Sequence, residues 1–404
     1  MRAVYKAFKD DDFQYGFEIA LGATYRGAAD AGEVLATAGR ISNADDWVRE
    51  WTATADKAWA AAEAARPVSA LAHYRRAAMY YATALYAIAR SDQAETKLDR
   101  WRRQRDCWER IVDLSGGERI GVPYEGTTLP AYLFRAADER RPLVVMNNGS
   151  DGATSQMWVD GGAAASERGY HWMTFDGPGQ QATLFEKGIP FRPDWEAVLT
   201  PVVDAMRSRA DVDPDRIAVI GISQGGYWVP RALAFEHRFA AAVADPGVVD
   251  VSTSWIDPLP GPLRKELEQG KQAAFDRNMR IGERLSADAR ALLAFRGEPY
   301  GLDTDSRYEL YQAVAAYRLG DEVERIDTPL LITDPEGEQF WPGQSQQLYD
   351  RHPGTKELAH FAAADGAGRH CEPMGSAQRD ARIFDWLAGY LGEPSPRRQT
   401  VVPA

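Results

Sequence analysis

The sequence predicts an α/β fold: a mostly parallel, doubly wound sheet with an N-terminal helical domain and a helical cap inserted late in the chain. Three observations predict it. Short β-branched runs alternate with helical patterns between about residues 116 and 250 and again after 326. The first 115 residues carry only helical periodicity. Residues 251–325 interrupt the strands with charge-rich helical sequence, the texture of a cap. The predicted units are thus 1–115, 116–250, 251–325, 326–392 and a polar tail, 393–404, expected to be mobile.

Within the first unit, Asp45 and Asp46 favour a helix start, and Trp47 and Trp51 follow on one face. Pro67 opens a second helix, in which Ala70, Tyr74, Ala77, Tyr81, Leu85 and Ile88 form a stripe. A third carries Trp101 and Trp108. Most of these aromatics read as ordinary helix packing, with a few left to line a cavity. Next, ERIGVPYEG and TLPAYLFRA read as an antiparallel pair around Glu125-Gly126. PLVVMNN, YHWMTFD, RIAVIGIS and FAAAVAD read as buried strands. After the cap, TPLLITD and TKELAHFA return to strand, and a final helix bearing Ile383, Phe384, Leu387 and Leu391 stops at Gly392.

Composition narrows the function class. The 404 residues are 45% hydrophobic and 26% charged, enough for one large core plus accessory helices. A net charge of -12 repels phosphate backbones and anionic lipid heads, so neither nucleic acid nor membrane is an expected partner. The opening residues carry acids where a signal peptide needs an apolar core, and no apolar run reaches membrane-spanning length. A cytoplasmic location is expected. Cys107 and Cys371 are too few for a disulfide framework and lack metal-ligand spacing.

The chemistry concentrates at IAVIGISQGGYWVPRALAFEHR, where a β-branched run meets Gly221-Ile222-Ser223-Gln224-Gly225 and continues as a helix. This is the pattern of a nucleophile elbow: a serine on a strained turn, with small neighbours that let strand and helix pack closely. The helix start offers free N–H groups to a developing oxyanion. Ser223 needs a base and an orienting acid. Among the six histidines, His73 and His171 precede the elbow, His237 lies in the helix leaving it, and His352 follows a helix end. His370, in the glycine-bearing loop before the last helix, is the favoured base, with His360 the alternative. LLITDPEGEQFWPG offers Asp334, Glu336 and Glu338 as the acid. Position past the strand end favours Glu338, with Asp334 the alternative. Asn148-Gly149-Ser150-Asp151-Gly152 follows an early buried strand, making the N–H groups of Ser150 and Gln224 candidates for the oxyanion hole.

Four ordered segments carry a resemblance: the elbow with GGYWVPRALAFEHR, FDGPGQQATLFEKGIPFRPDWEAV, DPEGEQFWPGQSQQLYD and DGAGRHCEPMG. Together they resemble α/β-hydrolases of the fermentation-respiration switch protein group, which includes dihydroxypseudooxynicotine hydrolase and fungal polyketide-shortening hydrolases. The resemblance spans about residues 43 to 392. It implies an α/β-hydrolase core and a homodimer, while the two helical regions flanking the core, 1–115 and 251–325, predict an enclosed aromatic pocket for a small-molecule carbonyl substrate, and no motif calls for a cofactor. It also makes the Asp176-Gly177 turn a wall of the active site, together with Gly149 and Tyr227. Two departures stand out: Glu338 occupies a position where relatives often carry aspartate, and Asn147-Asn148-Gly149 replaces a His-Gly-Gly strand end. The group holds ester or thioester hydrolysis and cleavage of a C–C bond beside a ketone, which the triad does not separate. For a further carboxylate after the nucleophile, Asp245 and Asp250 are the available acids.

Two rival readings are weaker. Asp176 to Ala182 fits G-x-G-x-x-A, with Asp194 and Glu196 near ribose-binding spacing, as in a nucleotide-dependent oxidoreductase. Gly188, Pro190 and Pro193 interrupt the helix that motif requires, and Pro178 removes a backbone donor. No Walker A, H-E-x-x-H or paired-cysteine motif points to a nucleotide or metal. A catalytically inactive hydrolase-fold binding protein is the other class, and such proteins commonly lose the serine or histidine that this chain retains.

Overall fold

The computed structural model describes residues 5–394; the tail expected to be mobile lies outside it from residue 395 on. Eight strands form one sheet: β1 Glu118–Tyr124, β2 Thr127–Phe134, β3 Arg141–Asn147, β4 His171–Phe175, β5 Val212–Ile222, β6 Ala241–Asp245, β7 Leu330–Pro335 and β8 Lys356–Phe361. Their spatial order is β1-β2-β4-β3-β5-β6-β7-β8. The pairs β1·β2 and β2·β4 are antiparallel, and all the others are parallel. Glu125 and Gly126, both with positive φ (40° and 82°), close the first hairpin in the left-handed geometry that suits the twist of its strands. β5 begins at Val212, four residues before the apolar run in the sequence. Asp213, Pro214 and Asp215 break the β pattern there, and the strand absorbs them at a register shift against Arg141 and Leu143.

Period-two alternation divides the central strands between two cores. Val144, Met146, Ala218, Ile220 and Val243 pack on one side with Trp47, Trp51 and Trp108 of the N-terminal helices and Phe384 and Leu387 of the final helix Ser376–Leu391. Leu143, Val145, Ile217, Val219 and Ala242 pack on the other with Trp195, Trp228 and residues of the inserted helices such as Phe275 and Tyr311. Burial on both faces explains why these strands read as continuous apolar runs.

The N-terminal region folds into helices Asp11–Gly22, Ala31–Ala38, Ala44–Glu63, Pro67–Tyr86 and Lys97–Ser115. Asn43 caps the third by accepting from the Asp46 N–H at 2.9 Å, and Pro67 occupies the first turn of the fourth. The apolar stripe outlasts that helix, since Ile88 belongs to a following 3₁₀ turn. Between β6 and β7 the insertion forms helices Thr253–Ile256, Gly261–Glu268, Gln272–Leu285, Ala287–Gly297 and Arg307–Ala315. Among the described residues, no helix is long and apolar enough to cross a membrane.

From β3 the chain crosses to β4 on one side, and β5 returns on the other. The carboxyl ends of β3 and β5 therefore border the switch point of the sheet, where a crevice opens in folds of this kind.

Candidate active site

Ser223 stands at that crevice, between β5 and the helix Gly225–Leu233, with φ 57°. A non-glycine residue rarely holds this conformation, which here is stabilised by an N–H bond from Ser223 to the Asp245 carbonyl at 2.7 Å. Close approach demands glycine alongside it. A Cβ on Gly221 would sit 2.2 Å from the Gly225 carbonyl oxygen, and one on Gly149 would sit 2.7 Å from Ser223 Cβ.

The loops after β7 and β8 converge on the serine. His370 Nε2 lies 2.9 Å from Ser223 Oγ, and His370 Nδ1 lies 2.7 Å from Glu338 Oε2. Because a carboxylate only accepts, Nδ1 carries the proton and donates to Glu338, leaving Nε2 to accept from the serine hydroxyl. The other Glu338 oxygen accepts from the backbone N–H groups of Phe340 at 2.8 Å and Trp341 at 3.1 Å. Burial pushes the Glu338 carboxyl up, but the His370 charge and hydrogen bond and these two N–H groups outweigh it, and the net shift is downward. The carboxylate form is thereby favoured next to the imidazole.

His370 is 3% exposed. The Phe340 and Trp341 rings pack on it, with centroids 4.8 and 5.6 Å away, and the Tyr15 hydroxyl donates to its carbonyl oxygen at 2.9 Å. The two residues after it, Cys371 and Glu372, both have positive φ. Fully buried Arg379 secures this bend by donating to the Cys371 carbonyl at 3.0 Å. Tyr15 and Arg379 escaped the sequence reading because each lies on a helix, inside an apolar stripe or among charges, with no motif to mark it.

The alternative acid and base pair with each other. Asp334 Oδ2 lies 3.1 Å from His360 Nδ1 near the surface, since both side chains project from adjacent strands β7 and β8 in register. Neither lines the cavity around Ser223.

Side-chain amides shape the loop after β3. Asn148 Oδ1 accepts from the Gly149 N–H at 2.8 Å, and Asn148 Nδ2 donates to the Gly152 carbonyl at 2.6 Å. Gln180 Nε2 donates to the carbonyls of Asn148 and Gly149 at 2.8 and 2.7 Å, while Trp195 Nε1 donates to Asn147 Oδ1 at 2.7 Å. Gly149 of this loop packs against Ser223, and Ser150, Ser223 and Gln224 all line the same cavity.

The cavity is about 340 Å³ and mostly apolar. Tyr15, Tyr86 and Trp101 enter it from the N-terminal helices, and Trp255, Phe295 and Tyr300 from the insertion. Of the expected wall residues, Gly149 lines it, but Asp176, Gly177 and Tyr227 do not. Asp176 turns into the protein, where it pairs with Arg105 and accepts from Thr154 Oγ1 at 2.6 Å. Gly177 packs against the Trp195 ring, and the Tyr227 hydroxyl donates to the Pro193 carbonyl at 3.1 Å. Gly179 and Gln181, farther along the same turn, reach the cavity instead. Asp245 and Asp250 are likewise outside the lining: Asp245 is fully buried and accepts from Thr333 Oγ1 at 2.7 Å, and Asp250 pairs with Arg318 at 3.1 Å.

Residues 199–279 match the model of the prolyl oligopeptidase family. Along 96% of the chain and 99% of the relative, the sequence is 30% identical to the hydrolyase ccsE of Aspergillus clavatus. Over the same shares of the two chains it is 32% identical to the hydrolase LUC6 of a Fusarium species. Among solved structures, that of 2,6-dihydroxy-pseudo-oxynicotine hydrolase superposes with a TM-score of 0.67 at 20% identity, over 95% of this chain and 99% of the other, which is a likeness of fold.

Proposed function

The chain belongs to the α/β-hydrolase family that contains these Aspergillus and Fusarium hydrolases, and from that premise we propose that it is a serine hydrolase. Its substrate is a small aromatic or polyketide-like carbonyl compound, cleaved at an ester or thioester bond or at a C–C bond beside a ketone. One observation carries this reading: the hydrogen-bonded series Ser223, His370 and Glu338 opens onto a largely apolar cavity.

In the proposed reaction, His370 Nε2 takes the Ser223 proton as Oγ attacks the substrate carbonyl, and Glu338 stabilises the imidazolium that forms. The N–H groups of Ser150 and Gln224 receive the oxyanion. Collapse of the tetrahedral adduct breaks the bond to the alcohol, thiol or stabilised carbanion, which takes the proton from His370. Water activated by the same imidazole then releases the acyl group from Ser223.

A cavity of about 340 Å³ fits one small or medium ligand, which on binding would displace water from the mostly apolar walls and so strengthen the oxyanion contacts. Folded proteins and polysaccharides are too large for it.

Reaction with a fluorophosphonate probe tests the nucleophile, with Ser223 expected as the labelled residue and Ser223→Ala unreactive. Ser223→Ala should lower kcat by up to about 10⁶-fold with the fold intact. Mass spectrometry of products from aryl esters, thioesters and β-diketones then separates C–O, C–S and C–C cleavage. Near-normal turnover by Ser223→Ala, or labelling elsewhere, overturns the assignment.

A further inference from the structure

The insertion contributes a guanidinium to the cavity. Arg296 lies in the last turn of the helix Ala287–Gly297 and lines the same cavity as Ser223. Its guanidinium lies over the Trp255 ring, 4.5 Å from the centroid, and Nη2 donates to the Ser254 hydroxyl at 3.3 Å. These contacts orient the group without neutralising it.

Charge pairing sets it apart. The other Arg and Lys side chains of the lining are matched: Arg90 by Asp10 at 2.6 Å and Asp12 at 3.3 Å, and Lys97 by Glu298. Among the described residues of the lining, Arg296 is the arginine or lysine that forms no ion pair. Its field nevertheless reaches the site. Desolvation in the cavity raises the Asp151 carboxyl, and the charge of Arg296 acts against that rise. Asp151 follows Ser150 directly, so Arg296 acts on the loop that borders the nucleophile.

Guanidinium remains protonated even when burial lowers its affinity for the proton, as it does here. Held against Trp255 and Ser254, it has lost much of the side-chain freedom that binding would otherwise cost. In a cavity with mostly apolar walls its attraction for an anion is stronger than in water. The hydrogen bond that the guanidinium makes goes to a neutral hydroxyl, so its positive charge faces the cavity without a carboxylate in ion-pair contact.

We propose that Arg296 is a substrate-recognition residue that binds an anionic oxygen, carboxylate or enolate, carried by the carbonyl compound. The proposal rests on the cavity being the substrate site, and deepens that reading by giving the substrate an acidic group.

Calorimetric binding to the full chain tests it independently of turnover, with naphthoate, the enolate of a cyclic β-diketone and neutral naphthamide as probes. Wild type should bind at least one anion, and Arg296→Met should weaken that binding by about tenfold to a hundredfold, the worth of a charge-assisted hydrogen bond. Naphthamide binding should not change, and Arg296→Lys should retain part of the anion affinity. Preference for naphthoate identifies a carboxylate, and preference for the diketone an enolate. Equal weakening of anion and amide, unchanged anion binding in Arg296→Met, or no anion binding by wild type overturns the proposal.

Turnover of two naphthyl esters, one carrying a carboxylate and one neutral, separates the two readings. Arg296→Met should raise KM for the charged ester alone. Hydrolysis of the neutral ester by a protein that binds no anion sinks the Arg296 proposal and keeps the hydrolase. Arg296-dependent anion binding by a protein that neither turns over esters nor reacts with fluorophosphonate sinks the hydrolase and keeps the anion site.

Discussion

The Tyr15 hydroxyl donates to the His370 carbonyl oxygen at 2.9 Å across 355 positions of the chain. The helix Asp11–Gly22 thus braces the loop that presents the imidazole, and the Tyr15 ring also lines the cavity. Tyr15→Phe keeps the ring and leaves a buried carbonyl unpaired, at a stability cost of about 1–3 kcal/mol. Looser positioning of His370 should lower kcat by about tenfold or more, since misplacement of about 1 Å in an active site can cost a hundredfold. Stopped-flow measurement of acylation checks this, and a wild-type rate contradicts the bracing role.

Glu338 and Asp334 separate cleanly by substitution. Glu338→Gln removes the charge that stabilises the imidazolium and should lower kcat by up to about 10⁴-fold with KM little changed. Asp334→Asn should stay within a few-fold of wild type, because Asp334 bonds to His360 near the surface. Steady-state kinetics on one aryl ester decides the matter, and a crippling Asp334→Asn reverses the assignment.

Acid sensitivity follows from the Glu338 carboxyl, which burial raises but His370 and two backbone N–H groups lower further, for a net downward shift. An acid whose folded-state value is depressed stabilises the fold fully above its unfolded value, about 4.3 for glutamate, and loses that contribution as pH falls through the folded value. The stability advantage of wild type over Glu338→Gln should therefore shrink below about pH 4. Urea unfolding at a series of pH values reads it. A gap that widens on acidification gives the wrong sign.

Arg105 and Asp176 form a buried ion pair between the helix Lys97–Ser115 and the turn after β4, with side-chain exposures of 9% and 1%. Removing only the cation strands a buried carboxylate, so Arg105→Met should destabilise the protein by about 3–5 kcal/mol. Arg105→Met combined with Asp176→Asn should recover part of the loss. Unfolding of the single and double variants measures this, and strictly additive losses would show that the pair is not coupled.

Local pattern carried much of this protein. A buried parallel strand is apolar along its whole length, so β3 to β7 stand out in the sequence, and a serine between strand and helix with glycines beside it announces a strained turn. His370 and Glu338 were legible at the level of chain order, as the histidine and acid in loops after the late strands. Tertiary structure alone decided what surrounds them. Asp176 looks like an active-site acid in a glycine-rich turn, yet Arg105, 71 positions away, draws it into the interior. Tyr15 meets His370, and Arg296 shares a cavity with Ser223, because the N-terminal and the inserted helices meet over the carboxyl ends of the central strands. The physical reason is one of range. Backbone conformation and burial on a regular element are set by neighbours a few residues apart, whereas the partner of a polar side chain is whatever packing brings within hydrogen-bond distance, and nothing in its own stretch of sequence encodes that partner.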